Sequence, residues 1–204
     1  MSALSTFLPT VIVRTFFISQ AAQAAIDYGE VMQIVAFTLL FTSAVFTLFQ
    51  STWWLAVIPG IAAVSYWFMK SHPSNLEFYR YADWILTTPL MLVSILIANG
   101  SPLSTILVAV GLDFAMIGAG YKGITEHDMT WFWYGMAAFV PILYILLAQT
   151  KNQLAIYLTV GLWCLYPIVY YLQEIRTLTE EQVTMSYAFL DMCAKIGLVN
   201  VLHV

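Results

Sequence analysis

The sequence predicts an all-α protein: a seven-transmembrane-helix bundle with a short N-terminal surface helix. Three observations carry this expectation. Of the 204 residues, 61% are hydrophobic and only 9% are charged, against about 25% charged in an ordinary soluble domain. Apolar runs of about 20 residues, the length that crosses a bilayer, recur along the whole chain. Between them lie "FQST", "KSHPSN", "NGSP", "KGITEHD", "QTKNQ" and "QEIRTLTEE", which hold the turn and polar residues that end helices. The net charge of −4 offers no basic field, so no nucleic-acid partner is expected.

The elements follow in order. Residues 1–27 form an N-terminal segment in which "LPTVIVRTFFIS" is apolar but short and interrupted by Arg14; a helix lying on the surface of the bundle is expected there. The predicted spans are 28–49, 52–70, 76–99, 102–122, 130–149, 153–174 and 182–204. The first break is the weakest, because residues 31–69 carry no charge and are divided only because a single helix of that length is implausible. Seven spans place the termini on opposite sides of the membrane, and residues 28–204 read as one membrane domain. Cys164 and Cys193 lie inside apolar runs without metal-ligand spacing and read as small core residues.

Ionisable groups inside a membrane are costly, face the interior and usually pair. The third span holds Arg80 and Asp83, the fourth Asp113, the seventh Asp191 and Lys195. Helical spacing puts Arg80, Asp83, Thr87 and Ser94 on one stripe and Asp191 and Lys195 on one face. The two cations Arg80 and Lys195 would then match the two anions Asp83 and Asp191. One reading is a structural salt-bridge cluster. The other is chemical: a lysine in an apolar pocket condenses with an aldehyde to a Schiff base, and the protonated imine still needs a carboxylate counter-ion. Trp84, Trp163, Tyr166 and Tyr170 lie in the spans that carry or adjoin these charges, which suits an enclosed, elongated organic ligand.

The motifs agree with the chemical reading. "RYADWILTTPL" (Arg80 to Leu90) strongly resembles the third helix of microbial, or type I, rhodopsins, and "LDMCAKIG" (Leu190 to Gly197) their seventh. "PGIAAVSY", "VGLDFAMIGAG" and "WCLYPIVYY" resemble the second, fourth and sixth, and the resemblance covers residues 27–204. It implies that Lys195 holds all-trans retinal as the protonated Schiff base. Asp83 would be counter-ion and proton acceptor, and Asp191 the second counter-ion, hydrogen-bonded by Tyr66 and Tyr166. Arg80 would steer the released proton outward, and Thr87 would hydrogen-bond the acceptor. Retinal would lie between Trp84 and Trp163, lined by Thr88, Met91, Met116, Gly120, Tyr166, Pro167 and Tyr170. The N terminus and residues 1–27 would be extracellular and the C terminus cytoplasmic. That order leaves Arg14, Lys70, Lys122 and Arg176 outside and only Lys151 inside, against the positive-inside rule; the motif order decides.

Two departures from the family pattern matter. Pumps of the family usually carry an internal donor acid two turns beyond the Thr87 position, and here that position is Ser94. Proteorhodopsins place a histidine beside the acceptor, where this chain has Ser65. The Asp83, Thr87, Ser94 pattern and the short first loop resemble the small rhodopsins of giant viruses. The acids of the proposed outer side, Asp27, Glu30, Glu77, Glu126, Asp128, Glu174, Glu180 and Glu181, read as a solvated face; Glu174, Glu180 or Glu181 is a candidate for a proton-release group. Asp113 reads as a neutral, hydrogen-bonded helix tie. A light-driven outward proton pump is the expected function, with a sensory photoreceptor and a light-gated cation channel as the alternatives; no enzyme activity is expected. The expected partners are membrane lipid, protons and further copies of the chain in a homo-oligomer, with a transducer protein only for a sensory role.

Overall fold

The computed structural model describes residues 27–202, in which eight α-helices and two short 3-10 turns are found. The helices are α1 (Tyr28–Leu48), α2 (Val57–Ser71), α3 (Leu76–Asn99), α4 (Leu103–Glu126), α5 (Met129–Leu147), α6 (Gln153–Trp163), α7 (Leu165–Glu174) and α8 (Glu180–Leu202). The surface helix expected in residues 1–27 lies outside the described residues, apart from Asp27. Neighbouring helices pack in chain order from α1 to α6, and both α6 and α7 lie against α8. Because α8 also packs on α1, the ring closes.

The burial pattern is that of a protein solvated by lipid. Phe41, Leu107, Trp133 and Tyr144 are all more than half exposed, whereas Arg80, Asp83, Asp191 and Lys195 are at most 2% exposed. Hydrocarbon offers no partner to a polar group, so each must be satisfied within the protein. On α1 this is local: Thr38, Thr42 and Thr47 each donate to the carbonyl four residues earlier.

The boundaries depart from the expected spans in three places, each for a local reason. The second span contains only 15 residues of α-helix, about 22 Å at 1.5 Å per residue, which falls short of a hydrocarbon core of about 30 Å. The 3-10 turn Trp53–Ala56 precedes it and adds about 8 Å. Pro59 then sits in the first turn of α2, where its missing N–H has no helical acceptor to lose. The fourth span runs on to Glu126 rather than 122, so the turn reduces to His127, in the left-handed region at φ 53°, and Asp128. Asp128 caps α5 by accepting from the Thr130 N–H at 2.9 Å. The sixth span occupies the expected 153–174 but is broken at Cys164. The cause is Pro167, whose ring crowds the carbonyl four residues back, that of Trp163.

At the opposite end Gly100, at φ 78°, closes α3, and only glycine adopts that conformation without strain. The α5–α6 connection docks onto it: the Lys151 N–H donates to Asn99 at 2.9 Å and Ser101 donates to Gln149 at 2.8 Å. The core beneath this end is apolar, with Leu92, Ile95, Leu96, Leu146, Ile156 and Leu198 fully buried.

Leu96→Ala should therefore destabilise the protein by about 2–5 kcal/mol, as for a cavity-forming core truncation. Leu107→Ala, at a lipid-facing position 62% exposed, should change stability by less than about 0.5 kcal/mol. Thermal unfolding in detergent, followed by circular dichroism, checks the contrast.

Candidate functional site

The site is built on α8. Tyr187, Asp191 and Lys195 recur every four residues, so all three face the ring interior, and each is at most 2% exposed. The facing helix α3 brings Asp83. Lys195 Nζ lies 2.5 Å from Asp83 Oδ2 and 3.2 Å from Asp191 Oδ1. The buried ammonium thus has a carboxylate on either side.

The two carboxylates differ in how their lone pairs are used. Asp191 accepts from the Tyr66 hydroxyl at 2.8 Å, the Tyr166 hydroxyl at 2.8 Å and Trp84 Nε1 at 3.1 Å. With Lys195 this makes four donors, drawn from α2, α7, α3 and α8, and a carboxylate has about four acceptor sites. Asp83 has Lys195 and one hydroxyl, that of Thr87 at 3.3 Å, which also lies 2.9 Å from the Asp83 backbone carbonyl. The single hydroxyl proton is shared between these two acceptors, so among the described residues Asp83 is held by fewer donors than Asp191.

Arg80 does not complete this cluster as the charge count suggested. Its guanidinium NH1 donates to Glu77 at 2.6 Å, and the guanidinium carbon lies 4.6 Å from the centre of the Tyr187 ring. Glu77 also accepts from Gln173 of α7 at 3.2 Å. Glu77, grouped by sequence with a solvated face, is therefore the partner of a buried cation. Its spacing to Arg80, three residues on one helix, was the signal available for it. Among the release candidates, Glu174 has a side chain only 8% exposed, with His127 3.6 Å away. Glu181 accepts from the Tyr28 N–H at 2.8 Å, and Glu180 and Glu181 open the first turn of α8.

On the other side of Lys195 the polar groups thin out. Ser94 is buried, and its hydroxyl donates to the Leu90 carbonyl at 2.6 Å. Thr159 of α6, which the sequence did not single out, is also buried, with no hydrogen-bond partner for its hydroxyl among the described residues. Asp113 is a tie between helices, as expected: Thr88 of α3 donates to it at 2.7 Å.

A cavity adjoins the lysine. Trp84, Thr88, Met91, Met116, Gly120, Trp163, Tyr166, Pro167 and Tyr170 all line it, together with Lys195 and Asp191. Tyr66 does not line it and reaches the site only through Asp191. Sequence reasoning missed Tyr81, Tyr187 and the α5 wall of Phe132, Met136 and Phe139; the spacing of the last three, four residues and then three, is a helical stripe. Two glycines of α4 make room for aromatic rings. A Cβ on Gly120 would come within 3.1 Å of the Tyr81 ring, and one on Gly123 would overlap the Tyr170 hydroxyl. A mostly apolar, aromatic-walled cavity with one lysine amine on its wall fits an elongated apolar aldehyde such as retinal.

Comparison with known proteins agrees with this geometry. Residues 18–204 match the family model described as "Bacteriorhodopsin-like protein". Bacteriorhodopsin of Halobacterium salinarum is 30% identical over 190 residues, which covers 82% of this chain and 69% of that protein. Halorhodopsin of Natronomonas pharaonis is 35% identical over 135 residues, covering 57% of this chain and 46% of that protein. Among solved structures, the light-driven proton pump Coccomyxa subellipsoidea rhodopsin superposes with a TM-score of 0.76 at 26% identity, over 86% of this chain and 96% of the other. Fold, buried lysine and sequence likeness together make the chain a member of the bacteriorhodopsin-like family, the microbial rhodopsins, integral membrane proteins that bind retinal as a Schiff base on a lysine.

Proposed function

We propose that this protein is a light-driven outward proton pump with retinal attached at Lys195, residues 1–27 and the Glu77 end of the bundle outside, and the Gly100 end in the cytoplasm. The observation that carries this reading is the inequality of the two carboxylates at Lys195: among the described residues Asp191 has four donors, and Asp83, 2.5 Å from Nζ, has two.

Retinal, when bound, supplies the absorption of light and the change of shape that reorients the Lys195 nitrogen. The remaining steps belong to the chain. In the dark the nitrogen carries a proton between Asp83 and Asp191. Asp83 accepts the proton. Thr87 steadies it with a hydroxyl that can shift from the backbone carbonyl to the carboxyl group. Asp191, fixed by Tyr66, Tyr166 and Trp84, remains the standing counter-ion. On the outward side lie Tyr187, Arg80 and Glu77, with Arg80 in contact with both of the others. On the cytoplasmic side the proton returns through an apolar region that holds the hydroxyls of Ser94 and Thr159.

Asp83 also supports proton over chloride transport, since chloride pumps of the family lack an acid there. A sensory photoreceptor is the second reading. Ser94 favours it, because a chain without a donor acid at that position completes its cycle slowly. Illumination of a dense, weakly buffered suspension of cells making the protein separates the readings. External acidification abolished by a protonophore marks a pump. An unchanged pH marks a sensor, and a light-induced current that reverses with voltage marks a channel.

Three outcomes are expected. Lys195→Ala protein supplied with retinal should stay colourless; a visible band that survives borohydride treatment would contradict the attachment site. Asp83→Asn should move the absorption band to the red, because a counter-ion stabilises the ground-state charge on the nitrogen, and should abolish transport. Ser94 cannot lend a proton, so return of a proton to the Lys195 nitrogen should slow roughly tenfold per pH unit in the wild type if capture limits it. Ser94→Asp should speed that step and flatten its pH dependence, which flash photolysis between about pH 6 and 9 measures.

A further inference from the structure

Along α3 the residues Glu77, Arg80 and Asp83 follow one another at intervals of three. A guanidinium in the middle has a carboxylate one turn away in each direction, since side chains three apart on a helix are neighbours. Arg80 is 2% exposed and its ion pair is with Glu77, at 2.6 Å. Two further contacts hold this choice. The guanidinium lies over the Tyr187 ring, a cation–π contact, and Gln173 of α7 donates to the same Glu77 oxygen at 3.2 Å. Glu77 stands in the first turn of α3, where the helix dipole favours an anion.

We propose that Glu77 is a positioning residue: it holds the Arg80 guanidinium one turn outward of Asp83 and so withholds that positive charge from the Asp83–Asp191 pair facing Lys195. The consequence is electrostatic. If the guanidinium turns inward, it offsets part of the negative charge that the pair presents to the Lys195 nitrogen. The field that stabilises the ground-state cation then weakens. The colour of the protein therefore reports where Arg80 points, and a purely structural contact at Glu77 would leave the colour unchanged.

This inference rests on retinal being bound at Lys195, and the experiment keeps the two apart. Visible spectra of the retinal-reconstituted full chain are compared for wild type, Glu77→Gln, Glu77→Asp, Arg80→Gln and the double variant Glu77→Gln/Arg80→Gln. Glu77→Gln should shift the band to the red, and Glu77→Asp should stay at the wild-type position. In the Arg80→Gln background Glu77→Gln should add no further shift, the non-additivity expected of two residues that act as a unit. An unshifted band in Glu77→Gln overturns the proposal, as does a shift of equal size with and without Arg80, since Glu77 would then act through its own charge. Should Glu77→Gln fail to yield coloured protein, Gln173→Leu decides: a smaller red shift supports the proposal and no shift overturns it. A wild-type chain that gives no visible band with retinal refutes the attachment at Lys195 instead.

Discussion

The ion triad of Lys195, Asp83 and Asp191 is the constraint around which the rest of this protein is arranged. Removing an ammonium and two carboxylates from water costs several kcal/mol per ion. The distances of 2.5 and 3.2 Å from Nζ return part of that through mutual attraction. The triad still carries one negative charge too many, and neutral donors spread it: two tyrosine hydroxyls and an indole N–H converge on Asp191. These donors come from α2, α7 and α3, so the charge on α8 cannot be accommodated unless at least four helices take their places around it. Closure of the ring and satisfaction of the triad are one requirement.

That requirement gives a reason for irregularities that would otherwise look like defects. The break at Cys164, caused by Pro167, divides the sixth span so that Trp163 lies on one segment and Tyr166 and Tyr170 on the other, and all three reach the same cavity. Gly120 and Gly123 leave α4 without side chains where Tyr81 and Tyr170 approach. Thr88 and Asp113 tie α3 to α4 beside the same cavity wall. A long apolar ligand and a buried cation are thus served by one set of adjustments to ordinary helix packing.

The two sides of the triad are unlike. Toward the Glu77 end, Tyr187, Arg80, Glu77 and Gln173 touch in that order, a continuous chain of polar and charged groups. Toward the Gly100 end, closely packed leucines and isoleucines enclose the hydroxyls of Ser94 and Thr159. A charge at Lys195 thus has polar groups on one side and a low-dielectric packing on the other, a difference on which the proposed outward direction of transport depends.

The amino-acid sequence by itself determined the fold class and the identity of the central residues. Hydrophobic runs of bilayer length leave a chain few options other than helices. A charge retained inside such a run must face inward, so Arg80, Asp83, Asp191 and Lys195 were legible as interior groups before any coordinate was known. The cavity residues proposed from the third, fourth and sixth helices were legible from their motifs. Only the tertiary structure decided how the charges paired. Helical spacing gives Arg80 two carboxylate neighbours of equal standing, and the choice of Glu77 depends on Tyr187 and Gln173, which come from helices distant in sequence. The inequality of Asp83 and Asp191 is likewise invisible along the chain, because it consists of donors from three other helices. The α5 wall of the cavity and the buried Thr159 hydroxyl were hidden for a simpler reason: in a helix apolar on every face, composition does not say which stripe points inward. Pairing and orientation are set by distances between helices, and a sequence fixes distances only within one.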